Sequence, residues 1–244
     1  MNFDQIEETM KIALMEHCKI RSCFINDSTG NMVTYNNKKY IITCRHVADD
    51  FFSNDCQYVL LRDNNKIFKS DLSYVNKTDE DIDIAVIEIL NYDKHIECYK
   101  IHDFELIEDF STPDYSESSF FIFGYPAQLK YDKNGNEYIL WMSYLTLKSE
   151  AKSSTQDYLY LKYPRESDKN ILNESKIKTI LPKAPGLSGA FIFVIKTFHE
   201  TNSELWLPSY AKIVAIQSSW NQRDWLKGCN TKYLLELFKE MDAT

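Results

Sequence analysis

The sequence predicts an all-β protein with a helix at each end, and three observations carry that reading. Short apolar segments recur at roughly ten-residue intervals between polar turns, the pattern of a barrel or sandwich. Apolar residues fall at helical spacing near the two termini. The 244 residues suit one large all-β domain or two small packed ones, with enough chain to bury a substantial core.

The elements follow in order. Asp4 to His17 carries Ile6, Met10, Ala13 and Leu14 at helical spacing, with Asp4 able to cap the first turn. Arg21 to Asn26 reads as a strand, Asp27 to Asn31 as a turn, and Met32 to Tyr35 as a second strand. Asn36-Asn37-Lys38 is a hairpin turn, and Lys39 to Cys44 a third strand that delivers His46. Tyr58 to Arg62, Lys66 to Ser70 and Ile84 to Leu90 complete the first half. Asp109 to Ser118 is polar and acidic, contains Pro113, and reads as the link between halves. Strands are then expected at Ser119 to Gly124, Tyr138 to Leu147, Tyr158 to Tyr163, Ile177 to Leu181, Gly189 to Ile195 and Tyr210 to Gln217. Asn134-Gly135 is a hairpin signal, and Thr197 to Glu204 a polar loop. Asn230 or Thr231 can cap a last helix, Tyr233 to Met241, whose Leu234, Leu235, Leu237 and Phe238 face inward. The expected organisation is a helix over 1–19, one β unit over 20–110, and a second over 111–244 that ends in the last helix.

Hydrophobic residues make up 44% and charged residues 26%, the balance of a soluble globular protein. The net charge of −8 argues against nucleic acid and anionic membrane as partners. Lysines between Lys148 and Lys178 alternate with acidic residues and read as a solvated face. Gly and Pro number six each, too few for long disordered linkers. The stretch Met1 to Glu8 lacks a basic and apolar leader, and no apolar run approaches the roughly 20 residues of a membrane span. The expectation is a cytoplasmic protein whose six cysteines, Cys18, Cys23, Cys44, Cys56, Cys98 and Cys229, are free thiols. No C-x-x-C or H-E-x-x-H occurs, and His17-Cys18 near Cys23 is the nearest approach to a metal cluster. Neither a metal nor a cofactor is expected.

His46, Asp83 and Ser188 stand in that order along the chain. A serine hydroxyl needs a base to take its proton as it attacks a carbonyl, and histidine titrates in the right range. A carboxylate fixes the histidine tautomer and stabilises the imidazolium. The oxyanion needs preorganised N–H donors, which Gly186-Leu187-Ser188 can supply from Gly186 and Ser188. An α/β-hydrolase requires a histidine after the acid and the serine; only His199 follows Ser188, and Ala190 breaks the Gly-x-Ser-x-Gly elbow. Asp81 competes with Asp83 for the carboxylate role. His17, His95, His102 and His199 are expected to have no catalytic part.

Lys39 to Val47, Asp81-Ile82-Asp83-Ile84-Ala85-Val86, Phe121 to Pro126 and Pro185-Gly186-Leu187-Ser188-Gly189-Ala190 resemble segments of trypsin-like proteases of the chymotrypsin fold, above all the intracellular, HtrA-like bacterial branch. The resemblance spans roughly residues 20 to 220 and favours Asp83, which directly precedes Ile-Ala-Val. It implies two six-stranded antiparallel β-barrels with His46, Asp83 and Ser188 in the cleft between them. It further implies a substrate pocket at Pro182 and Lys183 before the serine and at Gln217, Ser218 and Ser219 on a later strand. Pro182 stands where trypsins carry the acidic residue that selects basic side chains, so that preference is not expected. Ala190 replaces a glycine of the family pattern, and Leu187 replaces the aspartate that secreted trypsins pair with a new N-terminus. Activation by trypsin-type N-terminal cleavage is therefore not expected. The function implied is a serine endopeptidase without a PDZ module, acting on protein or peptide substrates. A specific protein target and a regulatory protein partner, in a bacterial stress or defence setting, are further expectations. The alternative is a catalytically silent pseudoprotease that binds a peptide or partner in the same cleft.

Overall fold

The computed structural model describes residues 3–62, 65–91, 95–112, 118–133, 136–163, 166–167, 179–180, 184–195, 206–221 and 224–243. Helix α1 (Phe3–Lys19) leads into β1 (Ser22–Ile25), β2 (Ser28–Tyr35) and β3 (Lys38–Thr43). Helix α2 (Arg45–Ser53) follows, then β4 (Tyr58–Leu61), β5 (Lys66–Phe68), β6 (Leu72–Lys77), β7 (Ala85–Ile89) and β8 (Tyr99–Lys100). These eight strands form one curled sheet in the order β5-β4-β1-β2-β3-β7-β6, with β8 lying parallel to β2.

The second sheet has six strands: β9 (Ser119–Gly124), β12 (Met142–Thr146), β13 (Tyr158–Lys162), β16 (Phe191–Ile195), β17 (Ala211–Trp220) and β18 (Trp225–Asn230). Their order is β12-β9-β16-β17-β18-β13, all antiparallel. Two small hairpins stand apart, β10 (Lys130–Lys133) with β11 (Asn136–Ile139), and β14 (Glu166–Ser167) with β15 (Thr179–Ile180). Helix α3 (Lys232–Asp242) ends the described chain. The architecture is the expected chymotrypsin-like pair of barrels.

Several elements differ from the sequence reading. Ser28 to Asn31 are strand, not turn: the reversal is confined to Asn26 and Asp27, both at positive φ (46° and 55°) as a two-residue primed hairpin requires. Thr29 and Asn31 are buried there because the second barrel supplies hydrogen-bond partners for them. The hairpin at Asn36 and Asn37 (φ 46° and 62°) stands where expected. His46 lies in the first turn of α2, which Val47, Ala48 and Phe51 bury against the first barrel. Strand β6 escapes a sequence reading because a bulge between Tyr74 and Asn76 breaks its alternation. Strand β18 does so because Gly228 interrupts it; a Cβ there would collide with Ile192 Cδ1. The expected strand Tyr138 to Leu147 is divided between β11 and β12. The Asn134-Gly135 signal, the Thr197 to Glu204 loop and residues 113–117 of the expected link lie outside the described residues.

Each barrel has its own core. Ile25, Ile41, Val59, Ile67 and Ile87 fill the first; Phe120, Ile122, Leu159, Leu161 and Val214 fill the second. An aromatic seam joins them, with Tyr99 tilted against Phe191 (5.4 Å) and Phe193 (5.9 Å). Both terminal helices brace this seam. Lys19 of α1 lies over the Trp141 ring at 4.0 Å. Phe238 of α3 stacks on Tyr35 of the first barrel at 4.5 Å, while Asp242 accepts hydrogen bonds from Tyr35 and from Asn36 Nδ2.

A polar network crosses the seam. Thr29 Oγ1 donates to Gly186 O (2.7 Å) and accepts from Tyr125 N (2.9 Å), while Thr29 N donates to Ser188 O (3.0 Å). Asn31 Nδ2 donates to Gly189 O (2.7 Å) and its Oδ1 accepts from Ser22 Oγ (2.9 Å). Replacing Thr29 with valine keeps the shape but leaves a buried C=O and a buried N–H unpaired. Urea titration of Thr29→Val is expected to show a loss of about 2–3 kcal/mol with an unchanged slope.

Candidate active site

The site begins where β3 ends. Cys44 is extended (φ −71°, ψ 148°) and caps α2, so the N–H groups of the first helical turn point outward without intrahelical partners. Asp83 takes one of them: His46 N donates to Asp83 Oδ1 at 3.0 Å. The second carboxylate oxygen accepts from His46 Nδ1 at 2.8 Å. A carboxylate only accepts, so Nδ1 carries the proton and Nε2 is left as the basic nitrogen. The fork fixes the ring's position, orientation and tautomer together. Of the two candidate aspartates, Asp83 is the one on His46; Asp81 instead offers its carbonyl to Tyr158 Oη (3.1 Å).

Asp83 sits at φ +60°, a conformation that costs a non-glycine residue on the order of 1–3 kcal/mol and persists only where the surroundings impose it. Here they do. Asp83 N donates to Asp79 O (3.0 Å), and its carbonyl accepts from Arg45 N (3.2 Å). Thr78 brackets the loop, with its N–H on Ile84 O (2.9 Å) and its hydroxyl accepting from Ile84 N (2.8 Å).

The hydrogen bond to Asp83 raises the titration point of His46, partial burial opposes this, and the charges of Asp83, Asp50 and Asp49 add to the rise. The imidazole is half exposed, whereas the Asp83 side chain is 15% exposed. The ring therefore meets the cleft while its partner stays sheltered.

Ser188 lies on a loop of two linked turns. Leu187 N donates to Ala184 O (2.9 Å) around Pro185 and Gly186, and Ala190 N to Leu187 O (2.8 Å) around Ser188 and Gly189. Gly186 (φ +98°) and Gly189 (φ +90°) take the left-handed third position of each turn. Neither tolerates a side chain. A Cβ on Gly186 would strike Ala127 N and Tyr125 O; one on Gly189 would strike Thr29 O and Thr43 Oγ1.

Every carbonyl from Pro185 to Ala190 is engaged, accepting in turn from Ala127 N, Thr29 Oγ1, Ala190 N, Thr29 N, Asn31 Nδ2 and Gln217 N. Gly189 N donates to Gln217 O (2.8 Å). Within the Gly186 to Ala190 segment, Gly186 and Ser188 are the residues whose N–H groups have no partner among the described residues. The Ser188 side chain likewise has no hydrogen bond among them, so none joins it to His46 in this structure.

The two halves meet at Gln217. Its carbonyl accepts Gly189 N–H from the serine loop and the Cys44 thiol (3.1 Å) from the residue that caps the histidine helix. Cys44 Sγ, a His46 ring nitrogen and an Asp83 oxygen lie within 4.8 Å of one another. As metal ligands they fit poorly. Both Asp83 oxygens already hold His46 N–H groups, and burial, reinforced by the Asp83 charge, pushes the Cys44 thiol well above its ordinary titration range.

Leu187 and Ala190 acquire a structural account. Both are fully buried in the second barrel, beside Gly124; a Cβ on Gly124 would lie 2.9 Å from Leu187 Cδ2 and 3.3 Å from Ala190 Cβ. Leu187 thus anchors the serine loop by packing where an aspartate would need an ionic partner.

Of the expected pocket residues, Pro182 and Lys183 lie outside the described residues. Gln217 and Ser218 are buried in β17, and Ser219 is exposed. Thr29, Asn31 and Cys44 hold the site together yet escape sequence reasoning, since each acts through a partner far along the chain. His17 is far from this chemistry: packed on Tyr99 at 5.7 Å, it is lowered to about 4 by burial and then by Arg21.

No protein-family model matches the chain, and no curated protein matches it by sequence. Solved structures do match in shape. Deg5 aligns at TM-score 0.51 with 13% identity, covering 94% of this chain and 92% of its own. An inactive mutant form of Rv3671c from M. tuberculosis aligns at TM-score 0.50 with 10% identity, covering 95% and 91%. The inactive form of the Rv3671c protease aligns at TM-score 0.49 with 10% identity, covering 93% and 91%. At these identities the alignments with Deg5 and the mutant Rv3671c establish the fold alone, two curled antiparallel half-barrels.

Proposed function

We propose that this chain is a serine endopeptidase working through His46, Asp83 and Ser188. The observation that carries the reading is the serine loop: its carbonyls are all tied back, while the N–H groups of Gly186 and Ser188 have no partner among the described residues. Such a loop is built to receive a negatively charged oxygen.

In this mechanism His46 Nε2 takes the Ser188 proton as Oγ attacks the peptide carbonyl, and the oxyanion settles on the two N–H groups. The imidazolium, stabilised by Asp83, gives its proton to the leaving amine, and an acyl-enzyme remains. Water then repeats the sequence to release the acid. The lack of a hydrogen bond between His46 and Ser188 in this structure is compatible with this order, since such hydrogen bonds often form only when substrate arrives.

The setting follows from the same reading. All six cysteines are free thiols, which supports a reducing compartment such as the cytoplasm. Among the described residues, no helix is long and apolar enough to cross a membrane. The substrates are proteins or peptides. A selective target and a regulatory protein partner, within bacterial stress or defence, complete the proposal.

A fluorophosphonate probe tests it. Wild-type protein is expected to be labelled and Ser188→Ala not; absence of labelling with intact folding, alone or with a candidate partner, would leave the silent peptide-binding alternative. Asp83→Asn should lower kcat by about 10⁴-fold, because the ring loses its correct tautomer. The pH profile supplies a further check. Protonated His46 is the inactive form, and Asp83 raises its titration point, so the acid limb of kcat/KM should lie above the ordinary value of 6.5. Removing the Asp83 charge should move that limb to lower pH.

A further inference from the structure

Arg45 has a side chain that the proton-transfer chemistry leaves unused. It occupies the first position of α2, directly before His46, and is 21% exposed. Its guanidinium is shared between two elements. Nε donates to Asp49 Oδ2 (3.2 Å), one turn along the same helix. Nη1 donates to Thr78 O (3.3 Å) and Nη2 to Glu80 Oε1 (3.4 Å), both in the loop between β6 and β7 that carries Asp83. The Glu80 side chain is 88% exposed, so that pair adds little. A planar fork of donors holds several acceptors at once in a fixed arrangement, which a lysine ammonium does not match.

Each end of the fork is itself held. Asp49 Oδ1 accepts from Tyr74 Oη and Lys77 Nζ, each at 2.9 Å, so this carboxylate joins α2 to β6. Burial works against its charge, yet the bonds from Lys77, Tyr74 and Arg45 outweigh that, and it titrates below its ordinary range. At the other end, Thr78 closes on Ile84, directly after Asp83, through its N–H and its hydroxyl. Asp79 pins the middle of the loop, its Oδ1 accepting from Ile82 N at 3.0 Å. Arg45 therefore grips the loop twice, by its side chain at Thr78 and by its own N–H at the Asp83 carbonyl (3.2 Å). The φ of +60° at Asp83 explains the need, because a non-glycine residue keeps that conformation only where its surroundings over-determine it.

We infer that the Arg45 guanidinium is a positioning residue for the proposed reaction: it locks the Asp83 loop onto the histidine helix and so keeps the carboxylate aimed at His46 N and Nδ1. This rests on the reading of His46 as the base that serves Ser188. Two effects of the side chain oppose each other, and that makes the role testable. As a positive charge on the neighbouring residue, Arg45 disfavours the imidazolium, so its loss alone would raise the His46 titration point. As the clamp on Asp83, it sustains the hydrogen bond that raises that point, so its loss lowers it. The acidic groups that act on His46 are Asp83 from the loop and Asp50 and Asp49 from α2, and all three remain when Arg45 is replaced.

The test follows the His46 ring by NMR in Ser188→Ala protein, where no turnover is needed. Arg45→Met keeps the apolar stem and removes the fork; Arg45→Lys keeps the charge and removes the fork's geometry. In both, the His46 titration point is expected to move to lower pH, and the neutral ring to lose its single Nδ1–H tautomer. A side chain that only stabilised the fold would change the melting temperature and leave both signals of the folded protein where they were. A titration point that stays or rises in either folded variant overturns the inference, and the lysine variant decides alone if the methionine variant fails to fold. Fluorophosphonate labelling runs in parallel on protein that retains Ser188, and Arg45→Met is expected to slow it by up to about 10²-fold. Labelling of wild type with His46 unmoved in the variants rejects this role for Arg45 and keeps the protease. A shifted His46 with no labelling of wild type keeps the role and rejects the protease.

Discussion

The structure depends on polar side chains buried between two greasy barrels. Thr29 and Asn31 reach from the first barrel to the carbonyls of Gly186 and Gly189, and the Thr29 backbone takes that of Ser188. Hydrophobic contact is non-directional and would let the barrels slide. Hydrogen bonds whose failure leaves buried groups unpaired set a single register. Gly189 enforces the same fit sterically, since its missing side chain lets the serine loop lie flat against Thr29 and Thr43.

The first barrel contributes a second constraint. Asp83 is held at positive φ by Thr78, Asp79 and Arg45, and that geometry turns its carboxylate onto the backbone N and the ring Nδ1 of His46. Arg45 takes part from within α2, so helix and loop position each other. The strain is local, and the ordinary strands around it supply the rigidity.

Much of this was legible in the sequence. The ladder of short apolar segments gave the all-β class, and the His46, Asp83 and Ser188 contexts stood out because each couples an unusual polar residue to a strand end. The misreading of the segment after Asp27 has a non-local cause. Thr29 and Asn31 look like turn residues because their composition is polar, yet their partners lie in another barrel about 160 residues away, where no local pattern can reveal them. Helix α2 carried a detectable signal in Val47, Ala48 and Phe51, overshadowed by the strand before it. Gln217 could be placed on the strand after the serine, but the two donors to its carbonyl, Gly189 N and the Cys44 thiol, come from far along the chain.

The carbonyl of Gln217 receives the Cys44 thiol from one barrel and the Gly189 amide from the other loop. That shared acceptor ties the serine loop to the residue that caps the histidine helix. During synthesis the histidine side emerges long before the serine side, and the serine loop lacks its Thr29 and Asn31 partners until the barrels dock. On the proposed function, hydrolytic competence would be the last property the chain acquires as it folds and the first it loses as the barrels part. A newly made or damaged copy would then be harmless to its neighbours.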